Sequence, residues 1–481
     1  MMKKLNIAVG VIVAFGIMWI SGAWYTGKSI EDQYQQQISK INHSWQQQSQ
    51  FSGILTQIED VQVERGIFRS DFRYRLNIKS HSLNLNLPFE GTLYHGPLPL
   101  NQVAILNLVP AMFSTSAKLV ENEETAKRIQ THSNESPISI VATMSYRQNV
   151  KGETTFMPAQ LTTDDIQLNW DKGRLQFDFN AQGIGQYDMD FTKLNMVLTD
   201  YSLKAVMADN GAEHLKKMTI EFDHLKSSSD MQPTVLSLLY TGKGKISTDN
   251  LRYVYSYSTE PSVTADFAKL TIDFDAKQDK DVMNYALSVT TEPKFNDYSL
   301  GKLAFALNTE HLSVQTLNAI LATDPNDEKT MQRLGLELLQ DQPHVQIKPL
   351  SLNNNAGKIE ANVDIALFES DFAKAFNGKI LSLFKQLSIN LNVDKAAAVE
   401  FLSILEQSTG QNKANADIQA QQQIDMLVTQ GKSQGVIVEK DNELSLAIGL
   451  EKDGINFNGN IIPEEYIGMA ILGLMMQGVG H

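Results

Sequence analysis

Two stretches of the sequence match motifs of nucleotide-binding or catalytic sites, and neither lies in the structural context that its chemistry needs. Residues 22–29 (GAWYTGKS) fit the phosphate-loop pattern G-x-x-x-x-G-K-[ST], which works between a strand and a helix. Here the pattern follows a long apolar run instead. Residues 431–435 (GKSQG) fit the G-x-S-x-G pattern of a nucleophile elbow, which needs a strand-to-helix turn. The predicted order is the reverse, a helix and then a strand over 436–439, so Gly431 is interpreted as a helix C-cap.

The amino-acid composition excludes further kinds of functional site. The chain has 481 residues, no cysteine, and 41 basic against 55 acidic residues, which gives a net charge of −14. Without cysteine there is no disulfide, thiolate metal site or cysteine nucleophile. The negative charge argues against a nucleic-acid partner, because nucleic-acid affinity depends mostly on lysine and arginine meeting phosphates. The histidines show no metal-ligand spacing, since no H-E-x-x-H is present.

His95 is the one histidine that stands in a distinctive local sequence, because it is followed by Gly96, Pro97 and Pro99. Glycine and proline mark turns, so we interpret His95 as a residue that fixes this turn. A catalytic role would need a partner carboxylate, which spacing alone does not supply. The sequence therefore predicts no catalytic, cofactor-binding or metal-binding residue and no cofactor, and we expect a protein that is not an enzyme.

The N-terminus predicts a membrane anchor over residues 1–25. Residues 5–23 form an almost unbroken apolar run of 19 residues, which as a helix spans about 28 Å, close to a hydrocarbon core of roughly 30 Å. Lys3 and Lys4 make its near end positive, and the far end carries the interface aromatics Trp19, Trp24 and Tyr25. The positive-inside rule then places the N-terminus in the cytoplasm and the body across the membrane. The alternative is a cleaved signal peptide, whose apolar region is usually shorter, at about 7–15 residues.

A second helix is predicted over residues 26–50. Its apolar residues recur at helical spacing and form one stripe: Ile30, Tyr34, Ile38, Ile41 and Trp45. This helix either forms a coiled coil between two copies of the chain or packs as a stalk on its own body.

Residues 51–310 are predicted to be a β-rich domain. Leu175, Phe177 and Phe179 alternate with polar residues, as in strands with one wet and one dry face, which favours antiparallel sheets. The same alternation recurs at 83–87, 253–257 and 270–274. Turns are predicted at 171–173, 209–211 and 242–244, and a helical interruption at 121–130.

Residues 311–481 are predicted to be a mixed α/β region. Helices are expected at 312–321, 331–339, 372–384, 396–407 and 418–428, and strands at 345–352, 358–367, 443–450 and 455–461. Asp394 is a good N-cap for the fourth helix, and Pro463 is expected to open a terminal helix. The apolar stretch 467–476 is too short to span a bilayer. It docks into the body, lies in the interface or pairs with a second copy.

Several stretches resemble a known family in their order and spacing. They are 22–31 (GAWYTGKSIE), 65–70 (RGIFRS), 95–100 (HGPLPL), 106–112 (LNLVPAM), 345–352 (VQIKPLSL) and 393–401. Together they resemble the YdgA-like family of Gram-negative bacterial proteins over essentially the whole chain. The resemblance implies a single-pass inner-membrane protein with a periplasmic body. It brings no established molecular function and no catalytic or binding residues.

These observations predict an α+β fold, mostly antiparallel β, with one N-terminal transmembrane helix, an elongated β-rich body and helices concentrated in the C-terminal third. The expected function is that of a non-enzymatic envelope binding or assembly protein. The alternative is a lipid-binding or lipid-transfer scaffold with an apolar β groove. The expected partners are the membrane, through the N-terminal helix, a second copy, through the juxtamembrane or C-terminal helix, and lipid.

Overall fold

The computed structural model describes residues 38–466, with gaps at 40–41, 44, 47–48, 50–52, 67–68, 81–83, 97, 200–214, 235–238, 258–260, 325–326, 369–379, 453 and 465. The chain forms two compact units, Met1–Thr264 and Ala265–His481. Within the described residues both are built mainly of antiparallel strands with few helices, which confirms the mostly antiparallel β architecture. None of the described helices is long and apolar enough to cross a membrane. The predicted anchor, residues 1–25, lies outside the described residues.

Besides helical residues between 38 and 49, the described part of the first unit contains strands β1–β13 and two short helices between the strands. They are β1 (Leu55–Arg65), β2 (Arg69–Lys79), β3 (Asn84–His95), α1 (Leu100–Ala104), β4 (Phe113–Leu119), α2 (Glu123–Arg128), β5 (Ile129–Thr131), β6 (Ile138–Met144), β7 (Val150–Phe156), β8 (Ala159–Thr162), β9 (Ile166–Trp170), β10 (Gly173–Phe179), β11 (Gly185–Thr199), β12 (Leu215–Pro233) and β13 (Tyr240–Tyr257).

Antiparallel pairing runs through this unit in the order β1-β2-β3-β4-β6-β7-β10-β11-β12-β13. Strand β11 pairs with two strands along the same edge. Its residues 185–191 pair with β10, and its residues 194–198 pair with β9. The short strands β8 and β5 continue outward from β9.

Period-two alternation produces the dry core of this unit. Leu175, Phe177 and Phe179 are all buried, as predicted from their alternation with polar residues. In the paired strands β2 and β3, Tyr74 stacks on Phe89 with 5.2 Å between the ring centroids. Burial raises the pKa of the Tyr74 hydroxyl well above its usual value, because the charged form would lose its hydration.

The described residues between 38 and 49 are helical and contact their own unit. The Asn42 side chain accepts a hydrogen bond from the Ile58 backbone N–H at 2.9 Å and donates one to its carbonyl at 3.0 Å. Trp45 is buried. Of the two alternatives for this helix, these contacts favour the stalk packed on its own body.

The second unit contains strands β14–β24 and four α-helices in its described part. They are β14 (Val263–Asp279), β15 (Val282–Phe295), β16 (Tyr298–Ser299), β17 (Lys302–Ser313), α3 (Val314–Ala322), α4 (Glu328–Gln340), β18 (His344–Asn354), β19 (Gly357–Leu367), a 3₁₀ turn (Ile380–Leu383), β20 (Phe384–Asp394), α5 (Lys395–Ser408), α6 (Lys413–Ser433), β21 (Val438–Lys440), β22 (Glu443–Glu451), β23 (Gly454–Phe457) and β24 (Asn460–Pro463).

Pairing in this unit follows the order β14-β15-β17-β18-β19-β20-β22-β23-β24. The helices are inserted as two pairs, α3 and α4 after β17, and α5 and α6 after β20. Ser313 caps α3 by accepting a hydrogen bond from the Thr316 N–H at 3.2 Å. The α5–α6 pair packs Ala398, Ile424 and Val428 against Leu444 of β22.

Two of the turn and helix predictions are wrong. Residues 242–244 lie inside β13, because pairing with β12 carries the strand through a glycine-rich sequence. Phe384 begins β20 instead of ending a helix, and the rest of that predicted helix falls largely outside the described residues. Helical residues begin at Glu464, directly after Pro463, as predicted to within one residue, and Pro463 itself ends β24. Asp394 is the N-cap residue of α5, as predicted, but its carboxylate makes no capping bond and instead accepts the Lys358 N–H at 2.6 Å.

Candidate functional site

The two motif matches from the sequence do not form sites in the described structure. Residues 22–29 lie outside it. Gly431 lies inside α6 and the C-cap is Gln434, so the C-cap prediction for Gly431 is wrong. The Ser433 hydroxyl donates to the Gln430 carbonyl of its own helix at 2.7 Å, which places it at a helix end and not at a strand-to-helix turn.

His95 lies at the end of β3 and supports the turn that follows it. Its Nε2 is 3.0 Å from the Ser70 hydroxyl on the paired strand β2. The Gly96 N–H donates to the Met112 carbonyl at 2.8 Å and closes the chain after His95. A Cβ at Gly96 would lie 2.2 Å from the Ala111 carbonyl oxygen, so only glycine fits here. Within the described residues, no group of three or more metal-ligating side chains is present.

Among the described residues of the first unit, the turn after His95 carries the most exposed apolar side chains. We call residues 96–112, between β3 and β4, the apolar tip. Leu106 is 87% exposed and Ile105 is 70% exposed, and the whole segment contains no charged residue. The exposed apolar side chains of the tip are Leu98, Leu100, Ile105, Leu106, Leu108 and Val109. Exposed apolar side chains grouped in one short segment are a common feature of interaction surfaces.

A buried polar cluster holds the apolar tip in place. The side chain of Gln102 is buried, donates to the Ser114 hydroxyl at 3.1 Å and accepts from the Asn107 amide at 2.8 Å. The Asn101 amide donates to the same hydroxyl at 2.9 Å. Ser114 is fully buried, and its Oγ donates to the Ala142 carbonyl of β6 at 3.2 Å. The hydroxyl is thus satisfied both as acceptor and as donor.

Backbone hydrogen bonds complete the support. The Gln102 and Val103 N–H groups both donate to the Pro99 carbonyl, at 2.9 and 3.0 Å. The Leu106 N–H donates to the Val103 carbonyl at 2.9 Å, and the Met112 N–H donates to the Met144 carbonyl of β6 at 2.8 Å. The tip therefore presents its apolar side chains on a backbone that is fixed before any partner arrives, which lowers the ordering cost of binding.

Sequence reasoning did not single out the tip as a surface, although two of the stretches that carried the resemblance, 95–100 and 106–112, cover most of it. A usable signal was present. The segment is apolar without alternating, contains no charge, and carries prolines at both ends. Apolar residues that follow neither the strand nor the helix period have no dry face to join.

A second apolar surface lies on the sheet of the second unit. Register places side chains from seven neighbouring strands in one row, and each is only half-buried: Leu287, Leu307, Ile347, Val363, Ile389, Ile448 and Phe457. We call this row and its immediate neighbours the half-open face. The α5–α6 pair covers the end of this sheet near Leu444.

Comparison with known proteins gives the family. The family profile described as "Bacterial protein of unknown function (DUF945)" matches residues 1–465. The chain belongs to the DUF945 family. It is 23% identical to Protein YdgA of Escherichia coli K12, over 97% of both chains. It is also 23% identical to the uncharacterized protein YihF of that organism, over 95% of this chain and 97% of that one.

A shorter match links the chain to an uncharacterized protein of Haemophilus influenzae. The two are 27% identical over 243 residues, which is 50% of this chain and 63% of that protein. The chain thus aligns with less than two thirds of this relative's length. No solved structure matches. The resemblance to the YdgA-like family is confirmed, and the family's molecular function is unknown.

Proposed function

We propose that this protein is a non-enzymatic binding protein of the bacterial cell envelope, and that it makes contact with its target through the apolar tip. The observation that carries the proposal is the combination of exposed leucine and isoleucine side chains with a fixed support beneath them. Exposing Leu106 to water has a free-energy cost, since burying a leucine side chain contributes about 1.5–3 kcal/mol. A buried polar cluster that maintains such exposure is typical of a binding surface.

The envelope location is part of the proposal and rests on residues 1–25. Their length, flanking lysines and interface aromatics support a single-pass anchor with the N-terminus in the cytoplasm and the body in the periplasm. An anchor of this kind holds the body close to the membrane and limits the targets that the tip can reach.

The absence of cysteine from the sequence allows a direct test. A Leu106→Cys variant carries a single thiol, and its reaction with N-ethylmaleimide, which crosses membranes, is measured in intact cells and on the purified full-length chain. Ile418→Cys, on the exposed face of α6, is the matched control. We expect slower labelling of Leu106→Cys in cells than in the purified chain, and equal labelling of the control in both.

Equal labelling rates for Leu106→Cys in cells and in the purified chain would show a free surface and overturn the proposal. Slower labelling of both variants in cells would indicate a general accessibility effect and would also count against it.

The half-open face supports a second candidate function, that of a lipid-binding or lipid-transfer scaffold. Its side chains form an unbroken apolar row across the sheet, and each retains solvent exposure. An acyl chain lying along this row would bury that remaining apolar area. Mass spectrometry of the purified full-length chain tests this: bound lipid should be present in the natural sequence and reduced in Val363→Asp. Equal lipid in both would exclude the face as its site.

A further inference from the structure

The apolar tip is one of five connections that the register places at the same edge of the first unit. The pairs that close these connections are Arg65 with Ser70, His95 with Phe113, Met144 with Val150, Phe179 with Gly185, and Pro233 with Tyr240. Adjacent strands lie about 4.8 Å apart, so the connections follow one another along the sheet. We call the described residues of these connections, together with the strand ends just named, the tip edge.

The tip edge is free of acidic residues in its connections, although the chain as a whole carries a net charge of −14. No aspartate or glutamate occurs in 66–68, 96–112, 145–149, 180–184 or 234–239. Exposed arginines stand at this edge instead: Arg65, Arg69 and Arg147. The nearest acidic residues lie within the strands: Glu64, Asp71, Asp178 and Asp230.

Exposed apolar and aromatic side chains recur along the same edge outside the tip. Tyr146 adjoins Arg147 in the connection between β6 and β7, Ile184 lies in the connection between β10 and β11, and Tyr240 is the first residue of β13. The edge therefore combines aliphatic, aromatic and basic side chains. This is the composition of surfaces that lie in a membrane interface, where apolar groups enter the headgroup region and cations meet anionic lipids.

The opposite ends of the same strands have the reverse character. Their described connections carry many carboxylates: Glu121, Glu123, Glu135, Asp164, Asp165 and Asp171. An anionic surface would repel that end, whereas the connections of the tip edge add no negative charge, so the charge difference between the two ends favours the tip edge facing such a surface. A protein partner would require a matching acidic and apolar surface, whereas an anionic bilayer supplies both properties together.

We propose that the tip edge docks on the surface of an anionic phospholipid bilayer, with the apolar tip inserted into the interface and the arginines against the lipid headgroups. This inference rests on the proposed function, because it names the target of the same tip. It predicts that the side chain at residue 106 itself enters the lipid. Attachment of the chain to the membrane through another segment would not bring residue 106 into the lipid.

The test uses the full-length chain in nanodiscs of phosphatidylcholine with phosphatidylglycerol. An environment-sensitive fluorophore is attached to Leu106→Cys, and its quenching by lipids with nitroxide on the acyl chain is measured. The matched control carries the fluorophore on Ile418→Cys. We expect quenching for the Leu106→Cys label, weaker quenching in discs of phosphatidylcholine alone, and none for the control.

Charge variants sharpen the test. Arg147→Gln should lower the inserted fraction of the label by up to about fivefold for the loss of one cation near an anionic surface. Arg333→Gln, on exposed α4 of the second unit, removes the same charge outside the tip edge and should have no effect. Equal loss in both arginine variants would overturn the electrostatic part of the inference.

Failure of the inference is distinguishable from failure of the proposed function. If the label on Leu106→Cys is not quenched in either disc, docking on lipid is wrong. The proposed function then survives only if the Leu106→Cys thiol is still protected from N-ethylmaleimide in cells, which would indicate a protein target. Absence of both quenching and protection would overturn both proposals.

Discussion

Both units of this chain are built of antiparallel strands, but the burial of the apolar side chains on those strands differs between them. In β10 of the first unit, each inward-facing residue is buried and its neighbours are exposed or half-buried. In β19 of the second unit, nearly every residue, inward or outward, is only half-buried. Around β10 the first unit therefore closes its dry face, and it exposes apolar residues at the tip, whereas around β19 the second unit leaves the face itself partly open.

This difference shows that apolar alternation in a sequence does not by itself indicate how well a sheet face is covered. Leu175 and Phe177 of β10 and Val363 and Ile365 of β19 follow the same period-two pattern. Only the first pair is fully buried. The cover over a face comes from residues far away in the sequence, which the local pattern does not encode.

The largest expected effect on stability comes from truncating a buried aromatic side chain in the core of the first unit. Phe177→Ala should destabilise the first unit by about 3–5 kcal/mol, because Phe177 is almost fully buried and the cavity cannot collapse. Phe305→Ala, on a half-buried position of β17, should cost the second unit only about 1–2 kcal/mol. Urea unfolding measures both. Tryptophan fluorescence follows the first unit alone, because the second has no tryptophan, and far-ultraviolet circular dichroism follows the whole chain, so a transition seen only by circular dichroism belongs to the second unit. Equal losses would remove the distinction between the units.

The next effect comes from adding one methyl group to each sheet. A Cβ at Gly91 of β3 would lie 2.4 Å from both the Phe72 ring and the Ser116 carbonyl oxygen, so Gly91→Ala should cost about 1–3 kcal/mol through overpacking. Gly449→Ala in β22 has no atom within 4 Å of the new Cβ. It should be neutral or stabilise the unit by up to about 1 kcal/mol. The two variants are compared in the same urea titrations, and a loss at Gly449 would contradict an open sheet there.

A smaller effect is expected where the first unit supports its exposed tip. Gln102→Met keeps the size of the side chain but leaves the bonds to Ser114 and Asn107 unmade, which should cost about 1–2 kcal/mol. Gln176→Met, on the exposed face of β10, should change stability by less than about 0.5 kcal/mol. Hydrogen exchange should also be faster at the Leu106 and Asn107 amides of the Gln102→Met variant alone. Unchanged exchange at these amides would show that the buried cluster does not fix the tip.

The smallest effect is the pH dependence of the α5–α6 pair in the second unit. A hydrogen bond from Lys395, with 2.7 Å between Nζ and Oδ1, holds the pKa of the Asp425 carboxyl below its usual 3.8. A lowered carboxyl pKa stabilises the fold at higher pH, and the contribution is lost as the pH falls through the lowered value. Hydrogen exchange of α6 should therefore accelerate at acidic pH in the natural sequence. Asp425→Asn should exchange faster already at neutral pH and show a weaker acid dependence, and an identical profile in both would contradict this role.

Most strands could be predicted from the sequence, because each depends on a local period and on turn residues at its ends. The turn at 171–173 follows this rule and connects β9 to β10. Residues 242–244 do not, although their glycine content is equally typical of a turn. A Cβ added at Gly242 would lie 1.8 Å from the Asp230 carbonyl oxygen. The glycine therefore allows β12 and β13 to approach each other closely, and it does not mark a turn of the chain.

The candidate site was less predictable than the strands. Gln102 is an ordinary polar residue in sequence, and its role depends on Ser114 and on the Ala142 carbonyl, which are brought together by strand pairing. The charge asymmetry between the two edges likewise appears only after the register assigns each connection to one end of the sheet. Net charge alone, which argued against nucleic acid, does not indicate that one edge lacks carboxylates.

Strand β11 has a consequence for how this family tolerates change in chain length. Its first part pairs with β10 and its second part with β9 on the same side, and the join is fixed by bonds from Thr192 to Lys172 and from Asp171 to Lys193. One inserted residue at this join would turn every later side chain of β11 to the other face. Insertions and deletions among relatives should therefore collect in the surface connections and avoid residues 185–199.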